Sequence, residues 1–159
     1  MKSETKLKGF FRVNIEDSDG SIVGDSGWQQ NMITNTGFQY YLVELMLASA
    51  GSLRVNAVAL GTGGAPVATD STLSGEVVKR VSLAAANMSV VSSTTAQFVA
   101  TFNSSISFVT NTVSISNIGL FAYTSAGSGS MFAGNTYNSS QVQTNQNVNV
   151  TYQIRFSTN

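Results

Sequence analysis

The sequence predicts a mainly β protein, an antiparallel β-sandwich of jelly-roll-like form that carries one amphipathic α-helix near residues 36–49. Short apolar runs with a period of two recur along the chain, and clusters of Gly, Ser and Asn separate them at the spacing of turns in a sandwich or barrel. Only one stretch shows a helical period instead. The length fits a single domain, residues 1–159, with a core of its own.

The first elements are predicted to form a hairpin. Residues 11–15 alternate between apolar and polar side chains, as in a strand with one buried and one solvent-exposed face. A turn is expected at residues 17–20, because Asp side chains bond their own backbone and the final glycine permits a positive φ. Residues 21–23 are expected to return as the second strand, and residues 28–33 extend the sheet.

The helix is predicted to begin at Thr36, because Thr36 and Gln39 have the spacing of a capping box. An apolar stripe at α-helical spacing is expected to face the core. A second apolar row lies on another side of the helix, and either a long loop or a neighbouring subunit is expected to cover it. The stripe consists of Phe38, Tyr41, Leu42, Leu45 and Met46, and the second row consists of Tyr40, Val43 and Leu47.

After residue 51 the chain is predicted to form β-strands. The last strand has the clearest pattern, since Val148, Val150, Tyr152, Ile154 and Phe156 alternate with polar residues. Antiparallel pairing is the simplest arrangement, because antiparallel strands need only short connections. The predicted strands cover residues 55–60, 77–84, 89–91, 95–103, 113–123, 130–136 and 148–156.

Charge is distributed very unevenly. Residues 81–154 contain no Asp, Glu, Lys, Arg or His, and 15 of the 16 charged side chains lie in residues 1–80. A neutral stretch with regularly spaced apolar residues is expected to fold rather than to stay disordered. Its polar surface of Ser, Thr, Asn, Gln and Gly favours packing against other subunits, and we expect a homo-oligomer. The alternative is a soluble surface of hydroxyl and amide groups.

The composition argues against several classes of function. Eight basic and eight acidic side chains leave no net charge, so the chain lacks the basic patch that binds nucleic acids or anionic membranes. The absence of Cys and His excludes disulfides, thiolate metal sites and the usual nucleophilic triads. A polar N-terminal segment without long apolar runs predicts neither a signal peptide nor a membrane span. We expect no metal and no cofactor.

Few residues are candidates for catalysis. Asp70 and Glu76, six residues apart, could supply an acid and a base for glycoside hydrolysis, and Glu44 could join them. The alternative is structural, with Asp70 as a cap and Glu76 paired with a nearby Arg. The sequence around them does not fix the geometry of a carboxylate pair, so we predict no enzyme and no catalytic residue.

Two motifs resemble ligand loops and are better explained as turns. Residues 61–64 are rich in glycine and follow a strand, but they lack the lysine and the helix of a phosphate-binding loop. Asp17 and Asp19 match part of a calcium loop, but an apolar residue occupies the first ligand position and no Glu closes the loop.

A series of short motifs runs through residues 30–156. It comprises an Asn-Thr-Gly, an apolar run that ends in Gly-Thr-Gly, a Pro, an Asp-x-x-Leu, a Glu-Val-x-x-Arg and a Gly-Leu-Phe, at residues 35–37, 58–63, 66, 70–73, 76–80 and 119–121. The series resembles a group of small virion structural proteins of tailed bacteriophages. This resemblance implies a structural role in the virion, without enzymatic activity and without catalytic residues.

The chain departs from that group at two positions. The group usually carries an acidic residue just before the Gly-Leu-Phe segment, where this chain has Asn117. It often carries an Arg in the next strand, where Gly134 or Asn135 stands. If the two residues pair in the group, their ion pair is absent here.

Together these features predict a capsid decoration or cement protein that binds the outer shell of a bacteriophage in many copies. The expected partners are the major capsid protein or other virion proteins, and the expected location is the virion, after synthesis in the host cytoplasm. Trp28, Tyr40, Val43 and Leu47 are the predicted contact residues, because aromatic anchors dominate interface energetics and aliphatic side chains pack around them. Residues 1–8 are either an arm that reaches a neighbour or an ordinary solvated terminus.

Two alternatives stay open. The first is a tail, baseplate or fibre component that contacts the host surface. The second is a carbohydrate-binding module in which Trp28, Tyr123 and Tyr137 stack on sugar rings, and this alternative requires the three aromatic side chains on one exposed face.

Overall fold

The computed structural model of the chain describes residues 5–47 and 53–158. Ten strands pair into one sheet that curls into a half-barrel, and one short helix packs on it. The predicted class, mainly antiparallel β with one helix, is confirmed. The strands are β1 Thr5–Glu16, β2 Ile22–Asp25, β3 Gln29–Ile33, β4 Ala57–Gly61, β5 Val81–Ser82, β6 Met88–Ser92, β7 Thr95–Phe102, β8 Val113–Phe121, β9 Met131–Val142 and β10 Asn147–Thr158.

The sheet has the order β5-β4-β8-β9-β3-β1-β10-β7-β6, with β2 paired to β1 off this path. Every pair of these strands is antiparallel, as the sequence predicts. The short strand β3 connects the two parts of the sheet. Its residues 29–31 pair with β1, whereas Met32 and Ile33 pair with β9.

The longest ladder joins β1 and β10. Their pairing runs without interruption from Thr5 opposite Thr158 to Glu16 opposite Asn147. Residues 5–8 of the predicted arm therefore belong to the sheet, and residues 1–4 lie outside the described part of the chain.

The strand predicted at residues 77–84 is much shorter in the structure. Only Val81 and Ser82 pair with β4, and Glu76 makes an isolated bridge to Gly61. The backbone between them turns, so that Arg80 points inward and is buried beside Glu76. The ion pair between Glu76 and Arg80 thus lies where the sequence predicts continuous strand pairing.

The helix differs from the prediction in type and in orientation. It is a π-helix over Gly37–Val43 followed by an α-helical turn over Glu44–Met46. Thr36 makes no side-chain capping bond, and the Thr34 hydroxyl instead accepts the Gly37 N–H at 3.0 Å. The predicted capping box is therefore wrong. Residues 48–49 of the predicted helix lie outside the described residues.

The predicted core stripe of the helix is only partly buried. Tyr41 is buried and Leu42 is half-buried, but Phe38 and Met46 are 47% and 81% exposed. The stripe was predicted from α-helical spacing, whereas the hydrogen bonds of a π-helix run from residue i to residue i+5. This wider turn changes which residues share a face. The side chain of Leu45 is not among those described.

The core lies inside the curl and joins both parts of the sheet. Val148, Val150, Tyr152 and Ile154 are buried, as their alternation predicts, whereas Phe156 near the strand end is 41% exposed. The Phe11 ring stacks on Tyr152 with 5.8 Å between centroids and meets Tyr137 edge-on at 5.9 Å. Within the described ranges, no helix has the length and apolar character needed to cross a membrane.

Candidate binding surfaces

Five apolar side chains on the helix and directly after it are exposed to solvent. Of the described side chains on it, only Tyr41 is a buried large side chain. We call the exposed set the helix face, and large apolar patches of this kind usually mark contact surfaces. It consists of Phe38, Tyr40, Val43, Met46 and Leu47. Three of the four predicted contact residues therefore lie exposed on one element, and no described loop covers them.

The helix is held from its opposite side. The hydroxyl of Tyr41 donates a hydrogen bond to the Ser130 carbonyl, and its ring lies 5.0 Å from the ring of Phe132. Burial raises the pKa of Tyr41 to about 12. A Cβ at Gly37 would approach the Phe132 carbonyl oxygen to 2.3 Å, so only glycine permits this contact with β9.

Trp28 lies apart from the helix face. It is 45% exposed and precedes β3, whereas the helix follows the end of β3. The five residues of β3 therefore lie between Trp28 and the helix in the chain, and Trp28 is not part of the helix face. All four predicted contact residues are thus exposed, Trp28 before β3 and the other three on the helix face.

Strand β6 forms an unprotected edge of the sheet. It lies at the end of the strand order, and its Val90 and Val91 are 81% and 54% exposed. Proteins usually protect such edges with charged side chains or Pro, and β6 contains neither. Strand β6 lies within the uncharged residues 81–154, so no charged side chain on it opposes pairing with a strand of another chain.

The acidic candidates for catalysis have structural partners. The Asp70 carboxylate accepts the Val67 N–H at 2.8 Å, and Glu76 bonds Arg80 at 2.5 and 2.9 Å. The Glu76–Arg80 pair agrees with the structural alternative, whereas Asp70 bonds the preceding Val67 rather than capping the residues that follow it. Among the described residues, no group of three or more His, Cys, Asp and Glu side chains is placed to hold a metal ion.

Arg80 is the centre of a buried polar cluster, which we call the Arg80 clasp. Its guanidinium donates to the carbonyls of Tyr123 and Ser128 at 2.7 Å each and lies 3.7 Å from the centroid of the Phe121 ring. Glu76 also accepts the Gly127 N–H at 3.1 Å. The clasp fixes the Gly- and Ser-rich loop between β8 and β9.

Beside this loop is a cavity of about 400 Å³ that the sequence analysis missed. Ser130 is one of the residues that line it, and its backbone has a positive φ of 91°. The buried hydroxyl of Ser130 has no hydrogen-bonding partner among the described residues. The lining residues are Thr36, Tyr40, Leu53, Ser71, Tyr123, Gly129 and Ser130. They come from distant parts of the chain, so no local motif could have revealed them.

The three aromatic residues predicted for sugar stacking do not share an exposed face. Tyr137 is buried against Phe11, and burial raises its pKa. Tyr123 is 53% exposed and lines the cavity, which Trp28 does not. The predicted trio is therefore wrong, and Tyr40 is the aromatic neighbour of Tyr123 in the cavity.

Asn117 has a role that an acidic side chain could not fill. It is fully buried, and its amide group donates to the carbonyls of Gly64 and Ser74 at 3.1 and 2.9 Å. A carboxylate cannot donate these bonds. In the next strand, Asn135 donates to the Gln30 carbonyl at 2.8 Å. Neutral amides bond backbone carbonyls at these positions.

Comparison of the chain with protein-family models, with curated proteins and with solved structures gave no significant match. The functional assignment therefore rests on the surfaces of the chain itself. The main ones are the helix face, the β6 edge and the hydroxyl-lined cavity.

Proposed function

We propose that the protein is a non-enzymatic structural component of a bacteriophage virion that decorates or cements the outer capsid shell in many copies. The observation that carries this proposal is the helix face. Val43, Met46 and Leu47 are 47%, 81% and 73% exposed, respectively, and Tyr41 is the only large side chain of the described helix residues that is buried. Apolar side chains concentrated on one short element are typical of a surface that another protein covers.

Two further observations support an assembly role. The β6 edge is open and neutral, so a strand of another subunit can pair with it without burying an unpaired charge. The motif series at residues 58–80 and 119–121 resembles virion proteins of tailed phages. Glu76 and Asp70 are engaged in structural bonds, which favours a protein without catalysis.

In this mechanism, each copy binds the shell by burying surface area against its subunits. A stable protein interface buries roughly 1,200–2,000 Å² in total, and its energy concentrates in a few apolar anchors surrounded by polar contacts. The helix face supplies the anchors, and the exposed ring of Trp28 supplies a further contact. A copy that touches two shell subunits links them, and many such links resist the internal pressure of packaged DNA.

A tail, baseplate or fibre component is the second candidate. The hydroxyl-lined cavity beside Tyr123 favours it, because components of this kind contact the host surface. The two candidates predict different binding partners for the isolated chain: the capsid shell for the first, and tails, baseplates or fibres for the second.

The test is binding to capsid shells of the cognate phage from which accessory proteins have been stripped. The shells are sedimented with increasing protein, and bound copies are counted per shell subunit. We expect saturable binding at a fixed ratio. The double variant with Val43→Ser and Leu47→Ser should lose most of this binding, because both substitutions remove exposed apolar contacts without touching the core.

Val67→Ser is the matched control, since Val67 is also apolar and 56% exposed but lies off the helix. Thermal unfolding of all variants establishes that each is folded. If shells that bind other accessory proteins bind none of this chain, the capsid assignment is overturned, and isolated tails and fibres are tested in the same assay.

A further inference from the structure

The cavity beside the β8–β9 loop has the size of a small-ligand site. Its volume is about 400 Å³, within the range of about 300–1,000 Å³ for pockets that enclose small molecules. The start of the helix contributes Thr36 and Tyr40, the segment after Asp70 contributes Ser71, and the loop contributes Tyr123 and Ser130. With Leu53, four separate segments thus meet around one space.

The lining is rich in hydroxyl groups and free of charge. Five of its seven residues carry a hydroxyl, and none carries a charged side chain. A hydroxyl both donates and accepts hydrogen bonds. Phosphate, carboxylate and cationic ligands normally require an opposite charge, which this lining does not offer. The complementary ligand is neutral and carries groups that themselves donate and accept.

Two tyrosine rings give the cavity an apolar side. Tyr40 is 39% exposed and Tyr123 is 53% exposed, and both line the cavity. A tyrosine presents an apolar ring together with a polar tip. A sugar ring matches this combination, because its C–H groups form apolar patches and its hydroxyls project around its rim.

Contacts within the protein hold the polar side of the cavity in place without a ligand. The backbone of Ser130 has a φ of 91°, which is unfavourable for a residue other than glycine. The Arg80 clasp fixes the carbonyls of Tyr123 and Ser128, and Met131 donates its N–H to the Ser71 carbonyl at 3.0 Å. Preorganised walls of this kind lower the cost of binding.

Ser130 also has an unmet hydrogen bond. The residue is 93% buried, since its exposed fraction is 7%, and its hydroxyl has no partner among the described residues. A buried polar group without a partner destabilises the folded state. The Ser130 hydroxyl oxygen is itself out of reach of solvent, so the hydroxyls available to a ligand are those of Thr36, Ser71 and the two tyrosines.

We propose that this cavity binds a neutral sugar ring of the hexose or N-acetylhexosamine type. The rings of Tyr40 and Tyr123 lie against its apolar face, and the hydroxyls of Thr36 and Ser71 bond its hydroxyl groups. This activity goes beyond the proposed role in virion assembly and does not depend on it. A chain with both properties attaches to a particle through Val43, Met46 and Leu47 and holds a sugar against Tyr40 and Tyr123 beside the β8–β9 loop.

The test begins with the purified chain on an array of neutral and acidic glycans. Binding is then followed by NMR titration with the methyl glycosides of glucose, galactose, mannose and N-acetylglucosamine. We expect saturable shifts of the amides of Ser71, Gly129 and Ser130 with at least one neutral sugar. Binding to no glycan, binding to acidic glycans only, or shifts confined to other regions would overturn the proposal.

Tyr123→Ala separates the cavity from the rest of the molecule. Its side chain is more than half exposed, and the clasp uses only its backbone carbonyl, so the variant is expected to fold. Affinity for the sugar should fall roughly tenfold, and Tyr123→Phe should retain most of it because the ring remains. Unchanged affinity of Tyr123→Ala would contradict the assignment.

Trp28→Ala is the matched control, as an exposed aromatic residue that does not line the cavity. It should leave sugar affinity unchanged. Shell binding is measured separately, and Tyr123→Ala should not affect it. Failure of sugar binding and failure of shell binding are therefore distinguishable.

Discussion

Arg80 bonds both carboxylate oxygens of Glu76, at 2.5 and 2.9 Å, although its own side chain has no exposure to solvent. The same guanidinium donates to two carbonyls of the β8–β9 loop. One buried cation therefore holds together the bridge at Glu76, the end of β8 and the loop beyond it. Paired charges of this kind are costly to bury, but costlier to separate.

We expect Glu76→Gln to lower the free energy of unfolding by about 3–5 kcal/mol, because it leaves the buried Arg80 without its counter-charge. Urea unfolding followed by circular dichroism measures the change. Asp25→Asn is the control, since it breaks the exposed pair of Arg12 and Asp25 and should have a much smaller effect. Equal losses in both variants would contradict a special role for the clasp.

The attachment of the helix should weaken at alkaline pH. Burial raises the pKa of Tyr41 to about 12, from an ordinary value of 10. A raised folded-state pKa means that the stabilisation is complete below pH 10 and is lost as pH rises from 10 towards 12. We expect Tyr41→Phe to show a shallower loss of stability over this range than the unaltered chain.

Unfolding free energies at pH 9, 10 and 11 measure this difference. Other buried tyrosines also have raised pKa values, so the comparison with Tyr41→Phe isolates the contribution of Tyr41. Parallel pH profiles of the two proteins would rule out the effect.

Replacing Asn117 with the acidic residue typical of the resembling group should harm this chain. Asn117→Asp puts a carboxylate against the carbonyls of Gly64 and Ser74, to which the amide now donates. We expect a loss of at least about 3 kcal/mol, because two bonds are lost and a charge is buried. Chemical denaturation measures it.

Asn138→Asp is the control for that substitution. Asn138 lies on β9, the strand that pairs with β8, and its side chain is exposed. The control substitution should change stability by less than about 0.5 kcal/mol. A tolerated Asn117→Asp would mean that the loop at residues 61–64 rearranges to accept an acid.

The homo-oligomer that the sequence predicts should depend on the β6 edge for its assembly. Val90→Lys places a charge on a strand that now carries none, and charges on edge strands oppose the addition of a further strand. We expect the association constant from sedimentation velocity to fall at least roughly tenfold. Val67→Lys adds the same charge away from the edge and should leave association unchanged; a similar fall in both variants would indicate a nonspecific charge effect.

The strands were predictable because half-buried strands have a period of two in their side chains. Val148, Val150, Tyr152 and Ile154 show this period and are all buried. Phe156 continues the pattern but lies near the end of β10, where less of the protein covers it. The alternation along a strand predicts which side chains face the core, but it does not predict how far along the strand the rest of the protein buries them.

The helix and the cavity were less predictable for a different reason. The π-helical turn over Gly37–Val43 depends on contacts with β9, which spacing along the chain does not reveal. Tyr40 and Tyr123 meet around one cavity only because the clasp positions a loop far along the chain. Contacts between distant segments therefore decide both features.

The full-length ladder between β1 and β10 has a practical consequence. Thr5 and Thr158 lie directly opposite each other, within about 5.5 Å for paired antiparallel residues. Peptides fused before residue 5 and after residue 158 would thus leave the molecule at the same point. Two different cargoes fused to one copy of the chain would therefore be displayed side by side and in equal number.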